Sequence, residues 1–226
     1  MGLKAQALVK SFGEPPTVVL KGLSFEVKDG EFVAITGRSG SGKSTLLYSL
    51  SLLDRLTSGH LLLDGRDTTT LSAKEKHRFL NLKLGFVFQF HYLLPELTCE
   101  ENVLFPARKT NRHEALRKRA VHLMEQFEIG HIRGKLPGQI SGGERQRAAI
   151  ARALIMEPQY LFADEPTGNL DSVSGEKVMR IFEETNRRAK TTIIMVTHDL
   201  GYANRAKRRI GLKDGAIEFD KRRPGG

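Results

Sequence analysis

Glu31-Phe32-Val33-Ala34-Ile35-Thr36-Gly37-Arg38-Ser39-Gly40-Ser41-Gly42-Lys43-Ser44-Thr45 is the stretch on which the reading of this chain turns. It begins as a short apolar run of strand character and then fits G-x-x-x-x-G-K-[ST] at Gly37, Gly42, Lys43 and Ser44. After Gly42 the apolar residues Leu46, Leu47, Leu50 and Leu53 recur at helical spacing. Glycines between a strand and a helix let the backbone curl until successive N–H groups point inward, and the helix start adds its positive dipole end. Arg38, Ser39, Gly40, Ser41 and Thr45 complete that cradle. Lys43 can reach the β- and γ-phosphates of a bound nucleotide, and the Ser44 hydroxyl can ligate Mg²⁺. Chance supplies about 0.02 such matches in a chain of this composition, and this one falls in the strand-to-helix context, so the stretch implies a nucleoside-triphosphate site.

Working outward, residues 17–20, 23–28, 60–64 and 84–88 read as further strands, separated by turn signals such as Asp29-Gly30 and Asp64-Gly65. Residues 143–156 read as helix, 160–163 as strand, 174–188 as helix and 191–197 as strand. Strands alternating with helices of this length predict an α/β fold with a mostly parallel sheet covered on both faces. From about residue 95 to 136 the character changes, and a helix over 112–127 carries Leu116, Ala120, Leu123, Met124 and Phe127 on one stripe. This block reads as an insertion beside the sheet.

Ligands of a parallel sheet sit beyond the carboxyl ends of its strands. Asp164 and Glu165 follow the run Tyr160-Leu161-Phe162-Ala163, so Asp164 suits a hold on Mg²⁺ and Glu165 can accept a proton from an attacking water. Gln89 and His198 also stand at strand ends, where an amide can touch metal or water and an imidazole can hydrogen-bond a γ-phosphate. Ser141-Gly142-Gly143-Glu144 opens a strongly helical run, and a serine with two glycines at a helix start builds a second anion site. One nucleotide is already served by the first loop, so the second site suggests that two copies complete each other.

With these residues in place, the chain resembles the ATP-binding subunits of ABC transporters over essentially its whole length. Six motifs run in the expected order: Gly37 to Ser44, Gln89, Ser141-Gly142-Gly143-Glu144, Asp164-Glu165, Asn169-Leu170-Asp171 and His198. Gln89-Phe90-His91-Tyr92-Leu93-Leu94-Pro95 is most similar to the branch serving macrolide exporters and lipoprotein release, nearest the lipoprotein-release members. The resemblance implies a P-loop NTPase fold in a single domain over 1–226, with an antiparallel β subdomain and a helical subdomain near 96–140. It implies an ATPase using ATP and Mg²⁺, with Glu165, His198, Gln89 and Lys43 catalytic and Ser44, Gln89 and Asp164 around the metal. ATP would be sandwiched in a head-to-tail homodimer between Lys43 of one copy and Ser141, Gly142 and Gly143 of the other, with Asp171 at the seam. Phe12 would stack on adenine where the family commonly has tyrosine, and Ile140 stands where leucine is usual. Two integral membrane permease subunits would dock between Phe90 and Phe105, holding the chain peripherally on the cytoplasmic side of a bacterial inner membrane.

Composition bounds these expectations. The chain has 226 residues, 39% hydrophobic and 27% charged, which describes a globular protein and excludes a disordered or fibrous one. Cys99 is the single cysteine, so no intrachain disulfide framework is available. No run reaches the roughly 18–20 apolar residues of a membrane span, and the first residues, Met1 to Gln6, lack a secretion signal's long apolar stretch. The formal charge is +10. Arg108, Lys109, Arg112, Arg117, Lys118 and Arg119 appear set against Glu114 alone, while Arg205, Lys207, Arg208 and Arg209 and then Lys221-Arg222-Arg223 crowd the end. These read as solvated faces. A nucleic-acid partner is disfavoured, because relatives of that kind carry two cassettes or a long coiled-coil insertion. Phe90, Tyr92, Leu93, Leu94, Leu97, Val103, Leu104 and Phe105 divide between core and a cleft for a short partner helix.

Overall fold

Along β3 (Phe32–Gly37), Val33 and Ile35 face one hydrophobic core while Phe32 and Ala34 face another. β7 (Tyr160–Asp164) and β8 (Thr192–Val196) divide in the same way: Tyr160, Phe162, Ile194 and Val196 on one side, Leu161, Ala163, Ile193 and Met195 on the other. Alternate residues of a strand point to opposite faces, so burial on both faces requires the unbroken apolar runs read from the sequence. The computed structural model describes residues 2–223; Met1 and residues 224–226, the ends of the expected 1–226 domain, lie outside the described residues.

In chain order the remaining elements are β1 (Gly2–Phe12), β2 (Thr17–Lys28), α1 (Lys43–Leu50), β4 (Ser58–Leu63), β5 (Arg66–Asp67), α2 (Ala73–Lys83), β6 (Leu84–Val87), α3 (Cys99–Arg108), α4 (His113–Gln126), α5 (Gly142–Leu154), α6 (Ser172–Ala189), α7 (Leu200–Ala203), β9 (Arg208–Lys213) and β10 (Ala216–Arg222). The central sheet has the order β10-β9-β3-β8-β7-β6, parallel from β9 to β6 with β10 antiparallel at its edge. A second, antiparallel sheet of order β2-β1-β4-β5 covers α1 and one face of the first. The other face packs α5 and α6, with α3 and α4 stacked beyond. This is the doubly covered α/β sheet with an antiparallel subdomain and a helical block.

Several elements differ from the expectation. The strands expected at 17–20 and 23–28 are one strand, β2, which passes through Gly22 at φ 77° and slips register against β1 beside it. α1 stops at Leu50, and Leu53 is exposed instead of continuing the stripe, because the chain turns through Leu52 at φ 62°. α2 carries no fully buried residue, only partly buried Phe79, Leu80 and Leu82 near its end, and so offers a weak stripe; reciprocal capping between Ser72 and Glu75 starts it. α3 begins with the same device between Thr98 and Glu101, inside the segment read as aromatic and proline-punctuated.

The cations expected on solvated faces are in good part paired. Arg108 meets Glu101, Arg117 and Arg133 share Glu100, and Arg119 meets Glu157, so Glu114 is not their lone counterweight. Arg205 bridges Glu176 and Glu183. Arg208 is buried and donates to Asp220, Glu31 and the Glu26 carbonyl, tying the C-terminal hairpin to β2 and the start of β3.

Candidate active site

Neighbouring strands bring their carboxyl ends into one row: Ile35 pairs with Val196, Val196 with Asp164, and Ala163 with Val87. The residues just beyond those ends therefore converge. Ser39, Gly40, Gly42, Lys43, Ser44, Thr45, Gln89, Glu165 and His198 line one open cleft of about 450 Å³, with Val19 of β2 at its side. Residues read as catalytic from separate motifs thus share a single space.

Backbone geometry explains the glycines that matter. A Cβ on Gly37 would stand 2.3 Å from the Leu212 carbonyl oxygen, so only glycine lets the loop leave β3 against β9. Gly42 caps α1 at φ 94°, a left-handed conformation, with no side-chain cap, which leaves the first N–H groups of the helix to the cleft. Lys43 is buried and its ammonium donates to the Arg38 carbonyl at 2.9 Å, closing the loop on itself.

Ser44 Oγ donates to Asp164 Oδ1 at 3.0 Å. Asp164 is only 4% exposed; burial pushes its carboxyl up, opposed by Tyr48, Ser44 and the charge of Lys43. Tyr48 follows Ser44 by one helical turn of α1 and so faces the same place. Burial and then the Asp164 charge push its phenol up to about 12. Tyr48 was not among the expected residues, although its i+4 spacing from Ser44 was the available signal.

Glu165 adopts φ 44°, rare for a residue with a side chain, and its N–H donates to the Val196 carbonyl at 3.0 Å. The turn aims its carboxylate at His198: Oε2 lies 3.0 Å from Nδ1 and accepts the His198 backbone N–H at 3.4 Å. The imidazole is mostly exposed and the carboxylate mostly covered. A covered carboxylate, a reachable imidazole and an anion cradle on one cleft can position a water against a terminal phosphate.

Ser141, Gly142, Gly143 and Asp171 do not line this cleft. Ser141 caps α5, its N–H and Oγ both donating to Glu144 Oε2 at 2.8 Å, and His131 Nε2 stands 2.8 Å from the other oxygen of Glu144. The Ser141 N–H, then its hydroxyl and His131, hold the Glu144 carboxyl down at about 2 against the opposing effect of burial. Asp171 caps α6 by accepting the Ser174 N–H at 2.9 Å, and Gly143 packs so closely on Ser174 that a Cβ there would meet its Oγ at 2.6 Å. These residues form a second group, with Ser141 and Asp171 exposed and Gly143 buried, joined to the first through buried Gln146, whose Nε2 donates to the Pro166 carbonyl just after Glu165.

Phe12 is also outside the cleft lining. It sits exposed at the tip of the β1–β2 hairpin, where the Lys10 ammonium lies 4.5 Å from its ring centre.

The ABC transporter family profile matches residues 20–168, from β2 through the loop after Asp164-Glu165. The chain belongs to the ABC transporter family. Among its relatives, the lipoprotein-releasing system ATP-binding protein LolD of Leptospira interrogans is 48% identical over 96% of this chain and 90% of its own length. LolD of Aquifex aeolicus is 50% identical over 88% of this chain and 89% of its own. The macrolide export ATP-binding/permease protein MacB of Syntrophobacter fumaroxidans is 46% identical over 91% of this chain, which spans only 29% of that longer protein. Of solved structures, a dimeric post-hydrolysis state of the ATP-binding cassette MJ0796 bound to ADP and Pi superposes with a TM-score of 0.92, at 39% identity over 99% of this chain and all of that one. As a member of this family the chain is an ATP-binding, ATP-hydrolysing subunit, and the P-loop NTPase fold expected for it is the one observed.

Proposed function

We propose that this chain is one of two identical ATPase subunits that drive lipoprotein release through two membrane permease subunits on the cytoplasmic side of a bacterial inner membrane. The observation that carries the two-copy arrangement is the separation of the sites: Lys43, Gln89, Glu165 and His198 share the cleft, whereas Ser141, Gly142 and Gly143 lie outside it, with Ser141 and Asp171 exposed to solvent. A head-to-tail pair lays the Ser141 group of one copy over the cleft of the other, with Asp171 at the seam. The dimeric likeness of the MJ0796 cassette supports this arrangement, and the LolD relatives support the cargo. None of the helices among the described residues is long and apolar enough to cross a membrane, in keeping with a subunit that works through membrane partners.

In this reading, the single ATP-binding domain spans 1–226 and its helical subdomain 96–140. Phosphates bind between the loop N–H groups of Gly37 to Thr45 and the Lys43 ammonium, and adenine stacks on the exposed ring of Phe12. Mg²⁺ fits the residues present: Ser44 Oγ and Asp164 already meet, Asp164 is a buried carboxylate short of positive charge, and Gln89 lines the same cleft. No group of three or more His, Cys, Asp or Glu side chains suited to a metal exists among the described residues, so the ion would share its ligands with phosphate oxygens. When bound it neutralises charge on the transferring phosphate. Glu165 accepts the proton of the attacking water, and His198 holds the Glu165 carboxylate and senses the terminal phosphate.

Ser141→Arg tests the composite site. The expected outcome is ATP affinity of the monomer within about threefold of the parent and hydrolysis reduced about a hundredfold or more. Full hydrolysis by the Ser141→Arg protein overturns the two-copy site. For the cargo, depletion of the chain in its host should strand lipoproteins in the inner membrane; unaltered lipoprotein distribution with new macrolide sensitivity would favour the exporter relatives instead.

A further inference from the structure

Between α2, β6 and α3 lies a second cleft, of about 320 Å³, walled by Leu80, Phe86, Phe88, Tyr92 and Phe105. Its rim is apolar and open: Tyr92 is 63% and Phe105 47% exposed, and neighbouring Phe90 61%. Val103 and Leu104 of the same segment turn inward to the core, so the segment divides its apolar residues between the two environments.

Two polar groups in this cleft are incompletely served. Arg152 reaches in from α5 and donates from Nη2 to the His91 carbonyl at 2.7 Å and from Nη1 to the Tyr92 carbonyl, yet no carboxylate pairs with it among the described residues. Burial alone pulls its guanidinium down to about 10. Asn81, from α2, has a buried Nδ2 with no hydrogen-bond partner. A guanidinium offers five N–H donors, and neutral carbonyls that accept two of them leave its charge uncompensated. No Asp or Glu lines the cleft. A cation and an amide donor on aromatic walls call for an occupant that is apolar around one anionic acceptor, and the planar fork of arginine matches a carboxylate.

We infer that the segment docking here is a short helix of a membrane partner that presents one Asp or Glu carboxylate between apolar side chains, its oxygens accepting from Arg152 and Asn81. This rests on the proposed docking between Phe90 and Phe105 and specifies its chemistry. Arg152 sits near the end of the helix that Ser141 starts, and it holds the backbone two and three residues after Gln89. A carboxylate on Arg152 therefore bears on both halves of the composite site.

The test uses the full chain with its own membrane subunits. A photoreactive benzoylphenylalanine replaces Phe105, cross-links are formed in cells, and the joined peptide is mapped by mass spectrometry. The expected product joins Phe105 to a cytoplasmic segment of a membrane subunit with an Asp or Glu within one helical turn. Arg152→Gln should lower recovery of that subunit about tenfold or more, Arg152→Lys less so, and Arg152→Glu should be rescued by placing Arg at the partner's acid. Asn81→Leu should lower recovery more mildly while leaving thermal unfolding intact, which separates lost docking from lost folding. A cross-linked segment without an acid, or undiminished recovery by Arg152→Gln, overturns the carboxylate. A complex that purifies intact with no cross-link from position 105 removes the docking site, and the carboxylate with it.

Discussion

Replacing Glu165 with Gln separates proton transfer from shape. In the structure the Glu165 side chain is 13% exposed, and one of its oxygens serves both the ring and the backbone N–H of His198. A glutamine keeps the length and one acceptor oxygen, so the fold loses only the difference between a charged and a neutral hydrogen bond, about 1 kcal/mol. It cannot take a proton. Removing a positioned general base costs about 10²–10⁴ in rate, which is about 2.7–5.4 kcal/mol of barrier. Glu165→Asp perturbs the opposite property: the carboxylate stays but withdraws by one methylene from His198, and a misplacement of about 1 Å costs about 10²-fold. The assay is single-turnover hydrolysis of pre-bound ATP, with affinity titrated at equilibrium and stability followed in denaturant. Both variants should bind ATP within about threefold of the parent and unfold nearly as it does, while turnover falls about a hundredfold or more. The Gln variant should also accumulate as a closed dimer. Turnover by the Gln variant within about threefold of the parent would refute proton acceptance by Glu165.

Arg208→Ala should destabilise the fold by about 1.5–3 kcal/mol in urea unfolding, because it removes the charge-assisted hydrogen bonds of a buried guanidinium to partly exposed Glu31 and Asp220. A loss below about 1 kcal/mol would show that Arg222, 3.4 Å from Glu31, takes over the charge. Glu144, held at about 2 against a usual 4.5, should contribute at most about 3 kcal/mol of stability. Its folded value is depressed, so that contribution is present above about pH 5 and disappears as pH falls toward 2. Glu144→Gln should therefore flatten the loss of unfolding free energy across that window; a variant as acid-sensitive as the parent would contradict the assignment.

The parts of the site legible in the sequence are those whose chemistry is local. Gly40 and Gly42 answer to left-handed backbone conformations within the loop itself, although Gly37 answers to Leu212 of β9, and Ser141 with Glu144 encodes its own cap. Asp164, Glu165, Gln89 and His198 were legible for another reason: strand ends of a parallel sheet fall in one row, so a polar residue after each apolar run is enough. What escaped depends on partners distant in sequence. α2 packs only partly buried Phe79, Leu80 and Leu82 against the cores and so shows a weak stripe, and β1 is broken by register slips around Ala7 at φ 48°. Arg152 looks like any arginine of an amphipathic helix until the fold lays the segment after Gln89 across it.

The surplus of positive charge follows the same logic. Read along the chain, it crowds residues 108–119 and 205–223, and its acids seem missing. The fold supplies them from far away: Glu100 for Arg117 and Arg133, Glu157 for Arg119, Glu183 for Arg205, Glu31 for Arg208. The exposed pairs among these contribute about 0–1 kcal/mol each and chiefly cancel field, whereas buried Arg208 also ties the fold together. Part of what remains gathers where Lys207, Arg209, Lys221 and Arg223 meet beside the β9–β10 hairpin, with Arg222 reaching Glu31 from the same place. That hairpin begins at Arg208, whereas the end of β9 near Leu212 is the part that touches Gly37. That charge thus lies at the opposite end of β9 from the loop around Lys43, where the Lys43 ammonium and the first α1 N–H groups supply positive potential instead. Net charge was therefore a poor guide to this protein's ligand, because the residues that carry most of the surplus are either paired or placed away from it.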